Sequence, residues 1–96
     1  MSPKKQKKLN KIRKKLDKLD DSFIILIKKR TELVKQVLKL KDYKREIVDR
    51  NRIKKILASV KKKSLKNRID PKITKRIWRN MIWSYINFER RNFKKK

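Results

Sequence analysis

One stretch of the chain, from Leu9 to Lys41, constrains the fold more than any other. It reads LNKIRKKLDKLDDSFIILIKKRTELVKQVLKLK, and its apolar residues recur at alternating spacings of three and four. That alternation is typical of one stripe along a helix of about 35 residues, about 50 Å long. A second apolar row widens the stripe: Ile24, Ile27, Val34 and Leu38. We therefore expect this helix to be buried around most of its circumference.

Arg30 takes the place of an apolar residue in this stripe. Desolvating a guanidinium is costly unless an anion lies beside it. Lys41 follows eleven residues later, which is about 16 Å of rise but only about 20° of rotation, so both cations point from the same side of the helix. They could close on one small anion lying between them. Alternatively, Arg30 pairs with Asp20 or Asp21 of a partner, and Lys41 is an ordinary helix-end cation.

Two shorter helices follow the long one. Asp49 places a carboxylate at the N-terminus of helix 2, where a negative charge is favourable. We expect helix 2 to end within the lysines at 61–66. Asp70 and Pro71 are a strong start signal for helix 3, which we expect to run to about Arg91. We expect these side chains to point inward: Ile53, Ile56, Leu57 and Val60 of helix 2, and Ile73, Ile77, Trp78, Met81, Ile82, Tyr85 and Ile86 of helix 3. The chain is predicted to be all-α, with one long and two shorter helices in a single domain, residues 1–96.

The unequal helix lengths predict a partner for the long helix. Helix 2 is about 24 Å long, so it covers only half of a stripe that is apolar from end to end. A twofold homodimer in which the long helices lie side by side would cover the rest. Arg13 precedes Arg30 by seventeen residues, about 25 Å, so it could share a ligand with Arg30 only from an antiparallel partner helix.

Polar residues also interrupt the apolar faces of the two shorter helices. Asp49 and Arg52 are neighbours at i, i+3 and are most simply a helix-capping ion pair. Glu89 extends the line of Tyr85 on helix 3, which places a carboxylate on a buried stripe, although it could equally face solvent. Tyr85 itself is expected to be a packing residue. Periodicity alone thus predicts a cationic cleft in a helical dimer, and no reaction.

The net charge of +26 draws attention to nucleic acid as a partner. The lysines fall mostly on polar helix faces, however, and a bias of the whole composition explains them, so we expect only non-specific attraction of nucleic acid. With no cysteine and no histidine, we expect no disulfide, no thiolate chemistry, no metal site and no cofactor. The longest apolar run, Phe23 to Ile27, is too short to span a membrane. We expect a soluble, cytoplasmic protein.

Three segments taken together carry a family resemblance. They are IRKKLDKLDDSFIILIKKRTELVKQVLKLK, VDRNRIKKIL and IDPKITKRIWRNMIWSYINFE, and they extend from about Ile12 to Glu89. The chain resembles the all-α (type II) chorismate mutases. That resemblance implies an intertwined homodimer with two identical sites that converts chorismate to prephenate in aromatic amino-acid biosynthesis. The rearrangement is pericyclic and needs no nucleophile or metal. Fixed cations can hold the folded conformer of the dicarboxylate and stabilise charge on the breaking ether oxygen.

The resemblance also implies roles for the interrupting cations and for Glu89. Arg13 of the second subunit would bind one substrate carboxylate, and Arg30 would bind the other. Lys41 would contact a carboxylate and the ether oxygen. Glu89 lies where the family places the second donor to that oxygen, a position at which many members have glutamine. A glutamate can donate there only when it is protonated.

Helix 2 carries a departure from the family pattern. Asp49 and Arg52 would complete the pocket near the ring and its hydroxyl group, with Tyr85 lining it. The family usually follows this arginine with a glutamate that receives the hydroxyl, and here the position is Ile53. An apolar residue there resembles the related isochorismate pyruvate lyases, whereas Asp49, which those lyases tend to lack, favours the mutase. A non-enzymatic basic helical protein that binds nucleic acid is the third alternative.

Overall fold

Helices make up almost the whole of the described chain. A computed structural model describes residues 1–94. It contains helix α1 (Pro3–Leu40), a 3₁₀ helix (Lys44–Glu46), helix α2 (Arg50–Lys66) and helix α3 (Pro71–Asn92). No strand occurs within residues 1–94. The predicted all-α class, with one long helix and two shorter ones, is confirmed. The chain divides into two compact units, Met1–Leu33 and Val34–Lys96.

The start of α1 is fixed by the residue in front of its first turn. The Ser2 hydroxyl accepts a hydrogen bond from the Lys5 amide at 3.3 Å, and the Ser2 carbonyl accepts one from the Gln6 amide at 2.9 Å. Pro3 occupies the first helical position, where its missing N–H costs nothing. Ser2 followed by Pro3 is the start signal that the sequence offers for this helix, an N-cap and a first-turn proline, and it is confirmed.

The apolar stripe of α1 is exposed in the single chain, and no residue of this helix is fully buried. Phe23, at the middle of the stripe, is 58% exposed. The same holds for its neighbours on the stripe: Ile12, Leu16, Leu19, Leu26, Leu33 and Val37. The expectation that α1 buries most of its girth is thus wrong for the chain by itself, because α2 and α3 pack mainly on each other.

The second unit has a small core between α2 and α3. Its buried apolar residues are Ile47, Ile82 and Ile86. Around them pack the partly buried side chains of Leu38, Val48, Ile53, Ile56, Leu57 and Phe93. Ile47 directly follows the 3₁₀ helix, in the connection between α1 and α2. Its side chain is buried in this core.

Two residues of the predicted inward set of α3 do not point inward. Ile73 and Ile77 both remain exposed. Five residues separate Ile77 from Ile82, which is about 140° around the helix, so the two cannot both face α2. The pattern on α3 is therefore wider than the single surface that α2 covers.

The turn between α2 and α3 is built without glycine. Arg68 has φ of 56°, in the left-handed region that glycine usually occupies after a helix. The Arg68 amide donates to the Leu65 carbonyl and the Ile69 amide to the Ser64 carbonyl, which is the bond pattern of a Schellman motif. Asp70 then caps α3, its Oδ1 accepting from the Lys72 amide at 2.9 Å.

A hydroxyl pair locks the start of α3 to the end of α2. The Ser64 hydroxyl is buried, donates to the Val60 carbonyl at 2.6 Å, and lies 2.6 Å from the Thr74 hydroxyl. Buried polar groups are tolerated when they are hydrogen-bonded in this way.

Within residues 1–94, none of the helices is both long enough and apolar enough to cross a membrane.

Candidate functional site

The most buried charged group of the second unit is the carboxylate of Glu89. Glu89 is 6% exposed, and its two oxygens accept from Lys41 Nζ at 3.1 and 3.4 Å. Burying either charge alone would be costly, and the pair reduces that cost by mutual attraction. Of the two alternatives for Glu89, burial on the stripe is confirmed and exposure to solvent is wrong.

Lys41 owes its position to the end of α1. The helix ends at Leu40, and the Lys41 amide still donates to the Leu38 carbonyl at 3.2 Å. This tight last turn directs the side chain toward α3, where its ammonium reaches Glu89. Lys41 is therefore more than a helix-end cation in solvent, since its side chain is mostly buried. An ammonium has three donors, so Lys41 can hold Glu89 and still donate to a ligand.

Asp49 forms the N-cap of α2. Its Oδ1 accepts a hydrogen bond from the backbone amide of Arg52 at 3.0 Å. The capping interpretation of the Asp49 and Arg52 pair is confirmed, although the contact uses the Arg52 amide and not its guanidinium. The side chain of Arg52 is exposed at the start of α2. The spacing in the sequence could not distinguish these two kinds of contact, because both place the residues three apart.

An open cleft of about 690 Å³ lies beside these groups. Two of the predicted site residues, Lys41 and Asp49, line it. The other lining residues were not singled out from the sequence: Glu46, Val48, Arg50, Asn51, Trp83 and Arg90. Trp83 falls immediately after the core residue Ile82 and so off the apolar stripe of α3. An aromatic residue out of register with the stripe was the signal available in the sequence.

The remaining predicted residues of the second unit lie around the α2–α3 pair. Tyr85 is half-buried and precedes Glu89 by one turn of α3, so the two side chains share a face. Ile53 is half-buried and packs against the core. It also lines a smaller pocket of about 280 Å³ together with Trp83. The structure thus brings Lys41 together with Glu89, with Tyr85 one turn away.

The two remaining arginines belong to the first unit. Arg13 is exposed, whereas Arg30 is half-buried. Arg30 is more shielded than its neighbours on the stripe, Leu26 and Leu33, which are 58% and 60% exposed. Within residues 1–94, no group of three His, Cys, Asp or Glu side chains is placed to hold a metal ion.

Comparison with known protein families decides the relationship. A family model described as chorismate mutase type II matches residues 12–90. The chain belongs to the chorismate mutase type II family. Comparisons with curated proteins and with solved structures gave no match.

The extent of the chorismate mutase type II match bears on the site. It begins one residue before Arg13 and ends one residue after Glu89, so all eight predicted site residues fall within it. The family resemblance seen in the sequence is therefore confirmed over the segments that carry it. The roles of individual residues depend on contacts with a substrate and form part of the proposal that follows.

Proposed function

We propose that this protein is a chorismate mutase that rearranges chorismate to prephenate. Membership of the chorismate mutase type II family supports the reaction. The observation in this chain that supports the reaction is the position of the Lys41 ammonium, which is mostly buried and lies 3.1 Å from Glu89. A cation fixed in this way costs no reorganisation when negative charge develops on the breaking ether oxygen.

In the proposed mechanism the protein holds a flexible dianion in its reactive conformation. Arg30 and the partner's Arg13 bind the two carboxylates, which brings the reacting carbons together. Lys41 donates to the ether oxygen, and Glu89, which pairs with Lys41 as a carboxylate in the free protein, would be the second donor once it carries a proton. Both interactions strengthen as the carbon–oxygen bond breaks, so they lower the barrier. The bond to oxygen breaks as the new carbon–carbon bond forms, with no covalent intermediate on the protein.

The groups at the start of α2 are proposed to hold the ring. Asp49 already uses Oδ1 for the helix cap, and its other oxygen would accept from the ring hydroxyl. Arg52 and Tyr85 would close the pocket on either side. The high positive charge of the protein would steer a doubly negative substrate toward the cleft.

The assembly we propose is an intertwined homodimer of the single domain formed by residues 1–96. It is supported by α1, whose exposed apolar stripe carries no fully buried residue. A second copy of the same helix would cover that stripe by twofold symmetry. Phe23→Lys should produce monomers in analytical ultracentrifugation, because it places a charge in the proposed interface. A Phe23→Lys protein that sediments like the parent would contradict this assembly.

The test of the proposed reaction is the loss of chorismate absorbance with purified protein. Arg30→Ala should reduce kcat/KM by about a hundredfold or more, because it removes a fixed charge from the substrate. Arg91→Ala is the matched control, since Arg91 is an exposed arginine outside the cleft lining. Absence of turnover in the parent protein, or equal losses in both variants, would refute the assignment.

A second candidate reaction is the elimination of pyruvate from isochorismate. It is favoured by Ile53, an apolar, half-buried side chain packed against the core where the family pattern implies a glutamate. Product analysis with both substrates separates the two activities. For the mutase, Ile53→Glu should lower KM for chorismate by about fivefold, because the carboxylate can accept from the ring hydroxyl. Ile53→Leu is the control that keeps the site apolar.

A further inference from the structure

One flank of the α2–α3 pair carries three depressions that follow one another along α3. A basic groove of about 400 Å³ lies at the start of the helix. Arg79 lines both this groove and the 280 Å³ pocket next to it. Trp83 lines both that pocket and the large cleft, which Arg90 also borders. We name this continuous surface, from Lys72 to Arg90, the α3 groove; it is about 27 Å long.

Acidic residues are nearly absent from the helices that form the α3 groove. Between Arg50 and Phe88 the only acidic residue is Asp70, whose Oδ1 is engaged by the Lys72 amide in the cap of α3. The lining of the basic groove consists of Lys72, Lys75, Arg76, Arg79 and Asn80. A surface with cations and no counter-charge favours an anionic polymer.

Basic residues of α2 lie on the face that contributes to the opposite wall of the α3 groove. Arg50 lines the cleft and Leu57 lines the pocket. Lys54 and Lys61, which are exposed, lie on the same face of α2 because they are four residues from Arg50 and from Leu57, respectively. Among the lining residues, carboxylates occur only at the cleft end, in Glu46 and Asp49.

An exposed aromatic ring lies in the middle of this basic surface. Trp83 is 42% exposed, with Arg79 one turn before it. Trp83 lies about 120° around α3 from Glu89, so the two side chains point to different sides of the helix. Cationic grooves interrupted by aromatic rings are the surfaces on which unpaired bases stack while the backbone is tracked by basic side chains.

We propose that the α3 groove binds single-stranded nucleic acid without sequence preference. Phosphates lie along Lys72, Arg76 and Arg79, and a base stacks on Trp83. Lys72, Arg76 and Arg79 lie outside the lining of the cleft, whereas Trp83 lines both the cleft and the neighbouring pocket, so the α3 groove meets the proposed chorismate site at Trp83. The aromatic ring favours nucleic acid over a purely electrostatic polyanion, which has no base to stack.

The first arm of the test separates the groove from the overall charge. Binding of a fluorescent thymidine oligonucleotide of about ten nucleotides, a length typical of single-strand sites, is followed by anisotropy at several salt concentrations. Arg76→Ala with Arg79→Ala should weaken binding about tenfold and reduce the slope of log K against log salt by about 1.4. The control, Lys5→Ala with Lys8→Ala, removes the same charge from the exposed start of α1. Equal losses in the two double variants, or no binding by the parent, would overturn the proposal.

The second arm tests the stacking contact. Trp83→Leu should weaken oligonucleotide binding about tenfold and leave binding of heparin, which has no bases, unchanged. Circular dichroism checks that each variant keeps the parent's helical content. Equal losses for both polymers, or none for either, would refute base stacking. Polyglutamate that binds as tightly as the oligonucleotide, with the same dependence on Trp83, would indicate an acidic protein partner instead and would also overturn the proposal.

Discussion

Lys41 and Glu89 are 48 residues apart in the chain and 3.1 Å apart in space. Their contact joins the residue after the long helix to the last turns of α3. It is a structural tie, and in the proposed mechanism it is also the polar end of the site. If the proposed mechanism is correct, stability and activity depend on the same two side chains, and suitable variants are needed to separate the two contributions.

Removing one partner of this pair should be worse than removing both. Lys41→Met leaves the carboxylate of Glu89 buried and unpaired, so we expect a loss of about 3 kcal/mol in the free energy of unfolding. The double variant Lys41→Met, Glu89→Leu should recover most of that loss, because no charge remains buried. Urea unfolding followed by circular dichroism measures both, with Lys29→Met, at an exposed lysine, as the control. A double variant less stable than the single one would show that the charges themselves stabilise the fold.

Glu89→Gln tests whether this side chain donates to the ether oxygen. A glutamate can donate there only when it is protonated, whereas an amide always carries its N–H. If the proposed role is correct, the variant should therefore keep or raise kcat. Chorismate consumption at one fixed pH measures this. A loss of turnover in Glu89→Gln would leave Glu89 as a group that only positions Lys41.

Asp49 permits a separation of capping from substrate binding. Asp49→Asn keeps a side-chain oxygen for the Arg52 amide, so stability should change little, while Asp49→Ala should cost about 1 kcal/mol through loss of the cap. If Asp49 also receives the ring hydroxyl, both variants should raise KM for chorismate. Thermal unfolding and steady-state kinetics on the same samples distinguish the two effects. An unchanged KM in Asp49→Asn would limit the charge to a structural role.

Arg68 should be replaceable by glycine with a gain in stability. Its φ of 56° strains any residue that has a Cβ, and glycine removes that strain, so we expect about 1 kcal/mol of stabilisation. Arg68→Ala is the matched control, because it removes the same charge and keeps the Cβ. Chemical denaturation of both proteins gives the difference. Equal stabilities for the two variants would mean that the turn is not strained.

Local sequence signals predicted the helices well. The Ser2–Pro3 and Asp70–Pro71 pairs and the carboxylate of Asp49 act on the first turn of a helix, and all three proved to be caps. The 3₁₀ helix before Ile47 was missed, because a three-residue helix has no periodicity to detect. The exposure of Ile73 and Ile77 was also missed, since a stripe on α3 does not indicate which part of it α2 will cover.

The candidate site was only partly accessible from the sequence. Glu89 could be assigned to a buried stripe by its spacing from Tyr85, but its pairing with Lys41 joins residues that are distant in the chain, and no local pattern encodes that. The same applies to Trp83 and Arg90, which line the cleft through packing of α3 beside α2. Arg13 and Arg30 could be singled out by spacing on one helix, and the role proposed for them depends on a second chain.

The uncovered stripe of α1 has a consequence for the amount of protein that a cell must hold. A helix that buries no residue completely gains little from its own chain, and long isolated helices are only marginally stable in water. When a second molecule of the protein covers the stripe, the fraction of folded protein depends on the protein concentration. Dilution should then melt the protein at constant temperature, and synthesis below a threshold level would leave it unfolded.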